Sequence, residues 1–420
     1  MIKHLLVGAA ALALATNVHA ETYAIQAGHL IVDAAQAERG ASTVIVDNGR
    51  INRIENGFTA PANAIVVDER SRTVMPGMTD VHVHLTGTSG EPWYQGFTQK
   101  YSNPYAATVG LTHALEMAQG GFTTVRDAVA EGRFPGPRIK VAGAPLSIIG
   151  GHADEATGLP PELAEAVNEA HLNPSVCTGA EECQKVVRQL AAAGVDWIKI
   201  MATGGVLDPG TRGLEQHFTD EEMKAICDMA HFMGLKVAAH AHGARGIDAA
   251  VRAGVDSIEH GTFIDDQGVK DMKARGTYYV ATLLAFNGAA SLIGTGKLPL
   301  ASEVKARQAF VAWGKGLNLA YRNGVHIALG TDSAVAPHTD ANKELALMVT
   351  KGGMSPRDAL IAATKGGADL MNLSAETGTL DPGKSADLIA VEGDPLVDPT
   401  AVQHVDYVMV EGKPIPMKGH

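Results

Sequence analysis

Between residues 75 and 371 short apolar stretches alternate with helix-like ones, and this alternation restricts the fold more than any other feature of the chain. Strands are expected at Val74 to Leu85, Phe122 to Asp127, Ile139 to Ala144, Trp197 to Thr203, Lys236 to Ala241, Ser257 to Gly261, Tyr278 to Leu283 and His326 to Thr331. Helical periodicity fits between most of them, at Ala106 to Gln119, Ala180 to Ala193, Asp220 to Met233, Ala244 to Ala253 and Ser302 to Asn323. Repeated β-then-α units lay their strands parallel and cover the sheet with helices. Eight such units over roughly 300 residues predict an α/β chain with a (β/α)8 TIM barrel. The alternative is an open doubly wound sheet, which usually carries a Gly-rich phosphate loop after its first strand. Here the first strand runs instead into Asp80-Val81-His82-Val83-His84.

The two ends have a different texture. Residues 21–74 and 372–420 hold short alternating apolar runs, such as Thr43-Val44-Ile45-Val46 and Val405-Asp406-Tyr407-Val408-Met409-Val410, broken by Gly and Asn. They predict one small β-sandwich domain built from both ends around the larger domain at 75–371. Residues 1–20 differ again, with Lys3, an apolar stretch from Leu5 to Ala15 and the small-residue ending Val18-His19-Ala20. That is the pattern of a cleaved signal peptide, and the stretch falls short of the ~20 apolar residues a spanning helix needs. An exported protein, periplasmic or secreted and off the membrane after cleavage, is expected. Its 46 acidic against 34 basic side chains argue against a nucleic-acid partner, whose phosphates the surplus would repel. Of the three Cys, Cys177 and Cys183 are the nearest pair; nothing in the sequence fixes their geometry, and free thiols are the expectation.

The residues that carry chemistry sit at strand ends. In Val81-His82-Val83-His84 two imidazoles two residues apart on a strand share a face, where they could hold one metal; such pairs also occur on exposed strands. Lys199, inside Trp197-Ile198-Lys199-Ile200-Met201, is either a snorkelling or ion-paired amine or a desolvated one able to capture carbon dioxide as a carbamate. His240 and His242 repeat the two-residue spacing, and His260 ends the following strand. Asp332, after Gly330-Thr331, is either a turn former or a metal ligand and proton acceptor.

His82-x-His84, Lys199, His240, His260 and Asp332, in that order on successive strands, resemble the amidohydrolase superfamily of binuclear metal hydrolases. The similarity extends through Val74-Met75-Pro76-Gly77-Met78-Thr79-Asp80 and Gly378-Thr379-Leu380-Asp381-Pro382-Gly383. Within it the chain most resembles the branch of Xaa-Pro dipeptidases and ochratoxin-type amide hydrolases. The resemblance implies two divalent metal ions, zinc first. His82, His84 and Asp332 would hold one, His240 and His260 the other, and a carboxylated Lys199 would bridge them with the attacking hydroxide. His152 and His242 would hold the substrate's carbonyl or terminal carboxylate, or else serve as hydrogen-bond partners. Arg126 would pair with Asp127 or orient substrate. The implied activity is cleavage of an amide or peptide bond in a small molecule, such as an Xaa-Pro dipeptide or an N-acyl amino acid. A lactonase or phosphotriesterase on the same site is the alternative, with a non-catalytic binding protein on this fold behind it. Relatives often form homo-oligomers, and no interface pattern stands out in this sequence.

Overall fold

The computed structural model describes residues 21–87, 103–127, 136–154, 156–157, 159–169, 175–208 and 213–417. The signal-like residues 1–20 lie outside them, as does most of the stretch from Thr86 to Ser102.

Four strands lead in: β1 (Thr22–Leu30), β2 (Ser42–Asp47), β3 (Arg50–Asn56) and β4 (Ile65–Pro76). The barrel strands follow as β5 (Met78–Asp80), β6 (Phe122–Asp127), β7 (Arg138–Val141), β8 (Trp197–Met201), β9 (Lys236–Ala241), β10 (Ser257–His260) and β11 (Tyr278–Val280), and the chain closes with β12 (Leu388–Val391), β13 (Val405–Val410) and β14 (Lys413–Pro414). Helices between the barrel strands are α1 (Asn103–Gln119), α2 (Pro161–Glu169), α3 (Ala180–Ala192), α4 (Asp220–Phe232), α5 (Ala244–Ala253) and α6 (Asp266–Arg275). After β11 come α7 (Leu283–Ala290), α8 (Leu300–Ala312), α9 (Lys315–Arg322), α10 (Lys343–Thr350), α11 (Pro356–Ile361) and α12 (Gly367–Leu370).

The parallel sheets β5-β6-β7 and β8-β9-β10-β11 are joined into a ring by single bridges. Leu146 pairs with Ile200, Tyr279 with Ile327, and Val83 with Ser333, all parallel. The segment 326–333 is thus the eighth strand, held by Tyr279 N–H to His326 O (2.8 Å) and Val81 N–H to Leu329 O (3.0 Å) rather than by a regular ladder. Strand sequence decides which residues face inward. Trp197 and Ala238 join Val81, Ala142, Val280 and Ala328 in one apolar plug inside the ring, while Ile198, Ile200, Val237 and Ala239 face the helices. Residues two further along, Lys199 and His240, therefore come to lie above the plug. α4 is started by a capping box between Thr219 and Glu222, and α5 and α6 stop at Gly254 and Gly276, whose φ of 106° and 74° only glycine adopts cheaply.

Both chain ends contribute to one mixed sheet, ordered β14-β13-β12-β4-β1-β2-β3. Its two faces do different work. Val74, Leu388, Ala390 and Met409 point into a small core with Ile25, Val44 and Val46, whereas their neighbours Met75, Ile389, Val391, Val408 and Val410 join the barrel's outer core. Arg138 on β7 ties the sheet to the barrel through Asp387 (2.9 Å) and Glu411 (3.0 Å).

Two expectations need correction. The run from Val74 to Leu85 is not one strand: β4 carries Val74 to Pro76 in the terminal sheet, and β5 begins the barrel after Gly77. β5 itself stops at Asp80, because the Asp80 carboxylate accepts the His82 N–H (2.9 Å) and the Thr331 N–H (3.1 Å) and hydroxyl (2.6 Å), bending the chain before the histidines. The second correction concerns the cysteines, since Cys177 and Cys183 form a disulfide and only Cys227, on the buried face of α4, is free. Their six-residue separation spans the start of α3, whose first turn brings the two Cα atoms to 5.1 Å.

Candidate active site

The C-terminal ends of the barrel strands open into a cavity of about 550 Å3. His82, His84, His152, Lys199, His240, His242, His260 and Asp332 all line it, so the structure gathers eight residues that lie up to 250 positions apart in sequence. Arg126 is on β6, but its side chain lies outside the described residues.

The imidazoles are held in order from behind. His82 Nδ1 is 2.9 Å from Glu259 Oε2, a buried carboxylate that also accepts from Ser257 Oγ (2.6 Å). An ionised carboxylate can only accept, which places the His82 proton on Nδ1 and turns the Nε2 lone pair toward Lys199 Nζ (3.3 Å) and Asp332 Oδ1 (3.3 Å). His242 Nδ1 meets Thr262 Oγ1 at 2.7 Å, and His260 Nδ1 meets Thr282 Oγ1 at 2.6 Å. His240 is engaged on its other nitrogen, with Nε2 3.3 Å from Gly204 O. His84 Nε2 lies 3.1 Å from Asp332 Oδ1. Ring centroids pack at 4.6 Å for His240 with His242 and with His260, and 5.2 Å for His82 with His260. His152 closes the group, 4.5 Å from the His240 ring, with Nδ1 3.8 Å from Asp208 Oδ2.

Electrostatics follows from burial. Loss of hydration, helped by the Lys199 charge, pushes His82 down to about 4. Burial does the same to His152, to about 4, and to His242, to about 3, and it holds His240 and His260 well below the ordinary imidazole range. At neutral pH these are uncharged rings with an available lone pair. Asp332 goes the other way: burial works to raise it, but His82, His84 and His260 outweigh that and hold the carboxyl far below the usual range, hence ionised.

Neutral imidazoles and one ionised carboxylate converging in a buried pocket form the donor set a divalent cation binds. Two overlapping groups have donor atoms within 4.8 Å of one another: His240, His242 and His260, and His82, His260 and Asp332. The backbone is strained to bring them there. His260 (φ 70°), Thr282 (φ 46°) and Asp332 (φ 55°) occupy the left-handed region without being glycine, at a cost of about 1–3 kcal/mol each.

Several supporting residues escaped the sequence reading. Glu259 had a visible signal, an acid inside the apolar strand Ser257-Ile258-Glu259-His260. Thr262 and Thr282 had none, because hydroxyls reach their imidazoles only through the fold. The same holds for His113 and His338, stacked at 3.9 Å, whose ring nitrogens sit 2.7 Å from Leu85 O and 3.1 Å from His84 O, bracing the backbone beside His84.

Imidazoles, a lysine and an aspartate gathered over the plugged end of a parallel β/α ring define the barrel hydrolases that work through metal-ligating side chains. The chain belongs to the amidohydrolase family, whose model matches residues 73–415. Ochratoxinase of Aspergillus niger is 31% identical over 424 residues, covering 94% of this chain and 87% of that protein. A solved Xaa-Pro dipeptidase with methionine bound in its active site superposes with a TM-score of 0.86 at 33% identity, over 94% of this chain and 99% of the other. A prolidase in complex with N-methylphosphonate-L-proline gives 0.85 at 28% identity, over 94% and 100%. The chain is therefore a hydrolase of amide or peptide bonds in general terms.

Proposed function

We propose that the protein cleaves the amide bond of small substrates, dipeptides such as Xaa-Pro or N-acyl amino acids that include ochratoxin-like aryl amides. The observation that carries this reading is the convergence of His82, His84, Lys199, His240, His260 and Asp332 on one cavity. Similarity to a dipeptidase, a prolidase and ochratoxinase supports the amide as the bond attacked.

The site would take two divalent ions, zinc favoured by neutral imidazole, and the close grouping of His240, His242 and His260 and of His82, His260 and Asp332 supports a metal site here. His82, His84 and Asp332 would hold one, His240 and His260 the other, and Lys199, carboxylated, would stand between them; its place beside His82 Nε2 at 3.3 Å supports that role. Bound ions of this kind lower the pKa of water to about 7 and polarise a carbonyl. The chain's own groups do the rest. Asp332, ionised and largely buried, accepts a proton at Oδ1 or Oδ2 and returns it to the departing nitrogen. His242, fixed through Thr262, and His152, beside Asp208, face the substrate's carbonyl or carboxylate and orient it. Export through a signal at residues 1–20 is part of the proposal, supported by the disulfide between Cys177 and Cys183, which an oxidising compartment would preserve.

The test is an amino-acid release assay on the zinc- and bicarbonate-treated protein, with dipeptides, N-acyl amino acids and ochratoxin A beside lactones and phosphotriesters. Release of free amino acid is the expected result. Turnover confined to lactones or phosphotriesters would overturn the amidase assignment.

A further inference from the structure

The cavity has two unlike sides. Opposite the histidines, α7 and α8 present Phe286, Ala289, Ala290, Ala306, Ala309 and Phe310. The Phe286 ring stands edge-on to His242 with centroids 6.5 Å apart, so the apolar side begins directly at the polar cluster. Phe310, 45% exposed, forms the outer rim.

This side is held firmly from outside the cavity. Glu344 on α10, 1% exposed, accepts the Leu283 and Leu284 N–H groups at 2.8 and 2.6 Å, fixing the first turn of α7. Trp313 Nε1 donates to Leu283 O at 3.2 Å. On α8, Ser302 Oγ and Lys305 Nζ donate to the Asp208 carbonyl at 2.9 and 2.7 Å, joining the helix to the loop that follows β8. Two helices pinned by buried polar bonds make a shaped surface, and the alanines on it leave volume that larger side chains would fill.

We propose that this α7–α8 face is the subsite for a bulky, uncharged apolar side chain of the substrate, aryl or branched alkyl. The inference rests on the amide-hydrolase reading and adds the side-chain class that the site selects. An apolar group gains by leaving water against Phe286 and the alanines, whereas a lysine or glutamate side chain would lose hydration against those same side chains. Selectivity is the difference between these two free energies.

The test uses the metal-loaded full chain and two series of amides, one varied on the acyl side and one on the departing amino acid, each with Gly, Leu, Phe, Lys and Glu side chains. In at least one series kcat/KM for Leu or Phe should exceed that for Gly, Lys and Glu by about 10- to 100-fold. Ala289→Phe should reduce the Phe-to-Gly ratio in that series by about tenfold or more. Ala306→Val, a smaller intrusion, serves where Ala289→Phe fails to fold, and should lower the same ratio. Preference for Lys or Glu in both series, or a ratio unchanged in a folded variant, would overturn the subsite. If no amide is cleaved the amidase reading fails by itself, and the subsite is then judged by calorimetry. N-acetyl-L-phenylalanine binding about tenfold tighter than N-acetyl-L-lysine would uphold it, and equal or reversed affinities would sink it.

Discussion

The histidine floor of the cavity and its α7–α8 wall are assembled by different rules. The floor comes from residues in and just past the C-terminal ends of parallel strands, several of them oriented by a buried partner from another strand or loop, as Glu259 orients His82 and Thr282 orients His260. The wall comes from two helices with alanine toward the cavity, fixed at the Leu283 turn by Glu344 and along α8 by bonds to the Asp208 carbonyl. The floor is polar, strained at His260 and Asp332, and chemically committed; the wall is apolar and defined by the volume it leaves open. A barrel thus separates the chemistry it performs from the molecules it admits, and substitutions on the two sides should fail in different ways.

The largest effects belong to the floor. Lys199→Ala should lose bound metal, read as ions per chain by atomic emission, and with it nearly all turnover, while far-UV circular dichroism stays that of the parent. Asp332→Asn should lower kcat by about 10²- to 10⁴-fold, the range for a positioned proton acceptor. A Lys199→Ala protein that retained two ions and full rate would erase the distinction between floor and wall.

One layer back, the expected loss is smaller. Glu259→Gln keeps the shape of the side chain yet removes the charge that holds the His82 proton on Nδ1. Metal affinity should drop about 10- to 100-fold, as for other partners behind a metal-binding histidine, with kcat largely recovered at saturating metal. Competition with a chromophoric chelator measures this. Unchanged affinity would show that the His82 ring is fixed by packing alone.

The two sides also differ in how plainly the sequence announces them. Floor residues stand out because an imidazole or a lysine is conspicuous at the end of an apolar strand, and because their order along the chain follows the order of strands around the ring. The barrel periodicity was equally visible, with β6 and β9 lying where the apolar runs put them. What stays hidden depends on distance through space. Glu344 and the α7 turn it caps are 60 residues apart, and Thr282 looks like any strand-end threonine until the chain bends at φ 46° toward His260. The break between β4 and β5 did have a signal, the Pro76-Gly77 pair that punctuates the run, which the expectation of a single strand passed over. An alanine facing a cavity reads in sequence like an alanine packed in a core.

The smallest effect separates the two sides by pH. In metal-free protein the floor histidines are held below their unfolded value of 6.5, His82 and His152 at about 4 and His242 at about 3, because burial disfavours the charged ring. The unfolded chain therefore binds protons more readily, and the stability these groups leave intact above 6.5 is lost as pH falls from there toward 4. Asp332, also lowered, acts in the same direction at still lower pH. Behind the wall, burial pushes the Glu344 carboxyl up from 4.5 to about 8, so here the folded state holds the proton more tightly. Its contribution is complete below 4.5 and declines as pH rises through 8. Urea midpoints taken in chelator from about pH 5 to about pH 9 should thus show an acid limb from the floor and a gentler alkaline decline from the wall. Glu344→Gln lowers stability overall by disturbing the α7 cap, but the slope is the decisive reading: the alkaline decline should flatten while the acid limb persists. If the decline survives in Glu344→Gln, the wall has no titrating anchor, and the pH contrast between the two sides disappears.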